Sequence, residues 1–309
     1  MRTLKGNQIG AGYDLAAIPF TKVLFDTIKI GIIKSNLIAM FAGLSMALLV
    51  LDITFFDKII EIMLAFVGST LVIGSAGAFN NLYDRDIDII MERTKQRPTV
   101  TGRIGTGTGL AIGIGMAAAG MVILYLATPL AALFGFLGLF LYVVPYTMWT
   151  KRRTIYNTEV GSLSGAMPPL IGWAAITPDM MHWGIAALFV LMLVWQMPHF
   201  YAIAIRRTEE YRAANIPMLP VVKGLRRTYL QTNVYLAALL VSSFLFWPFS
   251  PFIAVTAAVL SLSWFLLSII GYRRMQPGGW AKAMFIFSLN HITILLSIII
   301  GYSLIKPLF

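Results

Sequence analysis

Apolar runs, each close to the length of a membrane-crossing helix, recur from about residue 30 to the end of the chain. A span needs roughly 20 apolar residues. Nine runs come near that length: 32–51, 60–80, 105–127, 130–149, 157–177, 183–205, 229–247, 252–271 and 282–303. Turn and charge signals separate them at LDITFFDK, the polar stretch 81–104, ATPL, TKRRT, TPDMMHW, the stretch 206–228, WPFSP and YRRMQPGGW. Lipid offers no partner to a free backbone group, so each run is expected to be a helix. The predicted fold class is all-α, a polytopic membrane protein with nine transmembrane helices. Residues 18–34 (IPFTKVLFDTIKIGIIK) mix Lys with apolar residues and read as an interfacial lead into the first span.

Charge gives the orientation. Of the 24 Lys and Arg, all but Lys58 and Lys306 fall in the N-terminal segment or in connections on the same side of the nine spans. The positive-inside rule makes that side cytoplasmic, with the N-terminus inside and the C-terminus outside. The chain then divides into a cytoplasmic or interfacial segment 1–31, a nine-helix domain 32–303 and an external tail 304–309. The net charge of +11 is thus topological, and nucleic acid is not an expected partner. Hydrophobic residues make up 58% of the chain and charged ones 12%, about half the usual charged fraction. The absence of Cys excludes disulfides and thiolate chemistry. Residues 1–27 show no signal-peptide pattern.

The two long connections, 81–104 and 206–228, both lie on the basic side, and four helices separate them. That spacing predicts two related halves whose loops meet over a central cavity open to the cytoplasm. The first connection opens with NNLYDRDIDIIMERTKQRP. Asn80, Asp84 and Asp88 recur every four residues and form one stripe on a helix, while Asp86 points away. Carboxylates one turn apart repel each other, and a divalent cation relieves the repulsion. Magnesium commonly takes one or two carboxylates plus substrate phosphates. Arg93 and Arg97, again four apart, with Lys95 nearby, suit phosphate oxygens. The alternative is a solvated helix end with acids and Arg paired for solubility.

The second connection supplies Glu209 and Glu210 with Arg206, Arg207, Arg212 and Lys223. It reads either as a second metal site or as a charged surface loop. Lys151, Arg152 and Arg153 add cations, or simply anchor the fourth span. Tyr142 and Tyr146, one turn apart, could shelter a cation or sit at the membrane interface. His182 falls in an outer loop. His199, in WQMPHFYAIAIRR, is a candidate haem ligand or proton carrier. His291, inside the last span, is equally readable as an interhelical hydrogen bond.

N-x-x-x-D-x-x-x-D at the inner end of the second span, followed by R-T-x-x-R-P, resembles the UbiA-type membrane prenyltransferases. YTMWTKRRTIYNTEVGSLSGAMPPLIGW, WQMPHFYAIAIRR and YRAANIPMLPVV resemble their haem branch, which farnesylates protohaem IX. The resemblance covers most of the chain. It departs in two places: Glu209-Glu210-Tyr211 stands where the branch usually has Asp, and Asn215 where Gly commonly precedes Ile-Pro.

The resemblance implies farnesyl diphosphate and haem B as substrates, haem O and diphosphate as products, and Mg2+ as cofactor. It implies metal binding by Asn80, Asp84 and Asp88, with Glu209 and Glu210 as a second site. Arg93, Arg97 and Lys151 are then expected to neutralise the leaving group. Asn81, Arg85, Tyr142, Tyr146, Arg152, Asn157, His199, Glu209, Glu210, Tyr211 and Arg212 are expected to line the substrates. Other expected partners are the bilayer and haem A synthase or a terminal oxidase assembly. Alternatives are a quinone or aromatic prenyltransferase of the same superfamily, a membrane transporter, and a haem-binding partner without prenyl transfer.

Overall fold

The computed structural model describes residues 19–305. The expectations on Arg2, Lys5 and Lys306, and most of those on the terminal segments, lie outside them. The regular secondary structure of the described residues is all helical, with no strand. In chain order the helices are α1 (Phe20–Ile28), α2 (Ile30–Val50), α3 (Ile59–Tyr83), α4 (Arg85–Asp88), α5 (Thr106–Ala127) and α6 (Pro129–Leu141). Then follow α7 (Asn157–Gly165), α8 (Met167–Ile176), α9 (Trp183–Arg206), α10 (Thr208–Ala213), α11 (Leu219–Ser242), α12 (Pro251–Arg274) and α13 (Pro277–Ile305). A π-helical segment, Tyr142–Trp149, continues α6 around Pro145.

Eight of the described helices are long and apolar enough to cross a membrane. The run 157–177, expected as one span, is broken into α7 and α8 at Ala166. The cause is the sequence Ala-Met-Pro-Pro. Pro168 and Pro169 lack amide hydrogens and clash with a preceding helical turn, so the first helix stops and a new one starts on them. Nearly all of α8 is buried, and it packs against α2. A Cβ on Gly43 would strike the carbonyl of Pro169, and one on Gly172 the carbonyl of Met40. The two backbones therefore touch, which is how helices gain packing energy where lipid removes the hydrophobic drive.

Thr128 and Ser250 each precede a proline and cap the next helix, accepting from the backbone N–H of Ala131 and Ile253. The outward faces of α5 and α6 remain apolar and exposed, as at Val122, Leu126 and Phe136. The sharpest turn lies at the other end of the bundle. Lys29 joins α1 to α2 in the left-handed conformation, with φ 57°, at a cost of about 1–2 kcal/mol for a residue other than glycine. Two contacts hold it there. Asn81 donates to the carbonyls of Asp26 (3.2 Å) and Thr27 (2.8 Å), and the carbonyl of Ile28 packs where a side chain on Gly77 would be.

Candidate active site

The carboxylate stripe forms where α3 ends. α3 stops at Tyr83 and α4 runs only from Arg85 to Asp88, so the expected single helix is interrupted at Asp84. The four-residue register survives the interruption. Asp84 N–H donates to Asn80 O (2.9 Å), and Asp88 N–H to Asp84 O (2.8 Å). Asn80, Asp84 and Asp88 are all buried. Asn80 Nδ2 donates to Asp84 Oδ2 (2.8 Å) and to Thr147 Oγ1 (2.9 Å). Asp86 points the other way, exposed, and takes both guanidinium nitrogens of Arg152 at 2.7 Å. Those bonds hold its carboxyl below the ordinary aspartate range.

Cations surround the stripe. Lys151 Nζ donates to Asp84 Oδ2, Arg152 lies 3.7 Å from Asp84 Oδ1, and Arg97 donates to Asp88 Oδ2 at 2.5 Å. The residue that sequence reasoning missed is Lys29, whose Nζ donates to Asn80 Oδ1. Burial, then the nearby charges of Arg97 and Lys151, push its ammonium well below the ordinary lysine value. Nothing in the pattern set it apart from Lys22 and Lys34, which remain exposed. A cavity of about 300 Å³ opens beside it, lined by Phe25, Lys29, Ile30, Arg93, Gln96 and Arg97 among others. Its wall thus combines apolar groups with basic ones.

The second connection packs against the first. Ile87 and Met91 cluster with Ala214, Ile216 and Met218, and Tyr211 covers them. Burial, then Tyr146 beside it, raise the Tyr211 phenol. Tyr142 and Tyr146 pack together at 5.5 Å between ring centroids. The acids of this connection stay apart from the stripe: Glu209 is exposed and pairs with Arg212, and Glu210 pairs with Arg207 at 2.6 Å. No group of three or more His, Asp or Glu gathers anywhere among the described residues. Asn157 spends its amide on the carbonyls of Thr154 (2.7 Å) and Pro217 (3.4 Å), which ties the TKRRT turn to the second connection. Arg85 is exposed and joins none of these contacts.

His199 lies between α9 and α13. Its ring stacks on Trp195 and Phe285, and Nδ1 is 2.7 Å from Ser288 Oγ. His291 bonds Ser261 of α12 at 3.1 Å, an interhelical link. His182 caps α9 through Gly184 N–H.

The donor set fits magnesium. It offers two carboxylates and one amide oxygen, all hard ligands, and Asp84 Oδ1 is buried without a hydrogen bond. An oxygen so placed is costly unless something positive meets it. Two carboxylates leave room for phosphate oxygens, as magnesium sites commonly do.

The chain matches the UbiA prenyltransferase family over residues 36–290. It is 63% identical to a protein of Shouchella clausii named protoheme IX farnesyltransferase, covering 94% of this chain and 93% of that one. In structure it is similar to a digeranylgeranylglyceryl phosphate synthase at 15% identity, with TM-score 0.72 over 92% of this chain and 98% of that one. It also matches a UbiA homologue of Archaeoglobus fulgidus bound to GPP and Mg2+ at 15% identity, with TM-score 0.63 over 90% of this chain and 99% of that one. These two structures bear on the fold. The family match and the identity to the Shouchella protein place the sequence, and the chain belongs to the UbiA prenyltransferase family, as a multi-pass membrane prenyltransferase.

Proposed function

We propose that this prenyltransferase moves the farnesyl group of farnesyl diphosphate onto a vinyl group of haem B, with addition of water, giving haem O and diphosphate. The observation that carries the prenyl half is the buried stripe Asn80, Asp84 and Asp88, ringed by Lys29, Arg97, Lys151 and Arg152. The acceptor half follows the Shouchella relative, whose name specifies protoheme.

The stripe would hold Mg2+, which supplies charge neutralisation to the diphosphate when bound. Arg93, Arg97, Lys151 and Lys29 stand where they can meet the charge that grows on the leaving group. The apolar wall at Phe25 and Ile30 suits the start of the prenyl chain. Tyr142, Tyr146 and Tyr211 screen the allylic cation from bulk water until the vinyl carbon attacks. Water then adds to the cation formed on the haem side, releasing a proton. His199, held on Ser288 with its ring between Trp195 and Phe285, is the candidate iron ligand for haem as substrate. Arg212 and the pair Glu209 and Glu210 border the opposite rim, where a second metal could sit only if their ion pairs open.

In this reading the chain lies in the plasma membrane with the stripe facing the cytoplasm. The pair α7–α8 counts as a ninth crossing, and haem A synthase or an oxidase assembly receives the product. The test is mass spectrometry of haems extracted from cells that lack any other source of haem O. Haem O appearing only with this chain supports the reading. A prenylated quinone precursor without haem O defeats it.

A further inference from the structure

We propose that Lys29 is a positioning cation which, with Lys151, holds the metal's ligands until a diphosphate draws it away, so that metal and prenyl diphosphate load together. The proposal rests on the metal–diphosphate reading of the stripe.

Each ligand residue already has a cationic partner. Lys29 donates to the amide oxygen of Asn80, Lys151 to Asp84 Oδ2, and Arg97 to Asp88 Oδ2. Those are oxygens that a divalent ion would need. Basic side chains outnumber the carboxylates here: Lys29, Arg97, Lys151 and Arg152 contact Asn80, Asp84, Asp86 and Asp88, and Arg93 lines the adjoining cavity. A lone divalent ion therefore meets a surplus of basic groups and must displace the Lys29 and Lys151 side chains from the oxygens they hold. A diphosphate reverses both terms. It carries more negative charge than one magnesium neutralises, and its oxygens give the ammonium groups somewhere to turn.

Lysine suits that exchange. Its charge is a compact point with three donors on a flexible stem, unlike the fixed fork of arginine. Lys29 has a further property. Its backbone is held by the clamp of Asn81 on Asp26 and Thr27, so the turn stays in place while the side chain swings. The ammonium also borders the cavity that Arg93 and Arg97 line, so the swing is short. Coupling of this kind is reciprocal: whatever factor the diphosphate adds to metal affinity, the metal adds to diphosphate affinity.

The test is Mn2+ binding to the purified full chain in detergent, read from the free-ion signal in electron paramagnetic resonance. Each titration is run with and without farnesyl thiolodiphosphate, a slowly reacting analogue. Wild type should bind Mn2+ weakly alone and about tenfold or more tightly with the analogue, within the usual range of site coupling. Lys29→Asn keeps a residue suited to the left-handed turn and removes the charge. It should bind Mn2+ alone severalfold more tightly than wild type and gain less from the analogue. Lys151→Gln should shift the same way, and Lys29→Arg should keep Mn2+ binding weak alone but gain less from the analogue than wild type does. Unchanged Mn2+ affinity and unchanged coupling in both charge-removing variants would overturn the proposal alone. Wild-type protein that binds no Mn2+ even with the analogue would overturn the metal–diphosphate reading and this proposal with it.

Discussion

Lys29 donates to the side-chain oxygen of Asn80, a residue 51 positions away. The contact joins the turn before the first long helix to the end of the second. It makes the α1–α2 junction one wall of the site, because the left-handed backbone at Lys29 and the Asn81 clamp aim the ammonium inward. The end of α1 is therefore a neighbour of the stripe.

The neighbouring acids should separate cleanly by function. Asp84 is buried and one of its oxygens accepts no hydrogen bond, whereas Asp86 is exposed and pairs with Arg152. Asp84→Asn should lower the rate of diphosphate release by about a hundredfold or more, the scale for losing one preorganised electrostatic group. Asp86→Asn should cost less than about fivefold, since exposed ion pairs contribute roughly 0–1 kcal/mol. Steady-state assays on purified protein check both. Equal losses would contradict the geometry.

Arg97 is the one described cation hydrogen-bonded to Asp88. Removing it strands a buried carboxylate, which costs about 3–5 kcal/mol when a buried pair is broken. Arg97→Ala should therefore weaken farnesyl diphosphate binding and lower thermal stability together. Arg97→Lys should recover stability better than it recovers KM, because an ammonium can keep the single contact to Asp88 but lacks the planar fork that suits phosphate oxygens. Paired melting and KM measurements read this out.

Metal removal should stop turnover without unfolding the chain. Both carboxylates of the stripe already have a cationic partner, Lys151 on Asp84 and Arg97 on Asp88, so chelation leaves neither without a counter-charge. EDTA should abolish diphosphate release, and Mg2+ or Mn2+ should restore it, while the melting temperature without substrate stays the same. A large fall in melting temperature on chelation would show that the metal holds the fold.

How much of this was legible in the sequence differs by element. The long apolar helices were, because span length and charge segregation are local and cumulative properties. The break at Ala166 was written in Met-Pro-Pro, but a continuous apolar run hid it. The stripe was legible because its spacing matches a helical turn, and the backbone bonds from Asp84 and Asp88 keep that spacing through the interruption. Lys29 and Thr147 were not legible. Their place depends on how α2 and the π-helical segment approach α3, and no local pattern records that. The second acidic loop was ambiguous in sequence. Glu209 and Glu210 read in sequence either as a second metal site or as a charged surface loop, and in the structure each has an Arg partner three residues away.

The α2–α8 contact gives a stability test far from the chemistry. Gly172→Ala pushes a methyl group into the carbonyl of Met40, and overpacking of that kind typically costs about 1–3 kcal/mol. Gly301→Ala meets no neighbouring atom and should be neutral or slightly stabilising. Thermal unfolding in one detergent should rank Gly172→Ala below wild type and Gly301→Ala at or above it.

The central claim is that the Asn80, Asp84 and Asp88 stripe drives transfer of a farnesyl group to haem B. Its most direct test combines purified chain, farnesyl diphosphate, haem B and Mg2+, and follows diphosphate and haem O together. The account predicts equal amounts of the two products with wild type and neither with Asp84→Ala. Haem O formed at an undiminished rate by Asp84→Ala would contradict it.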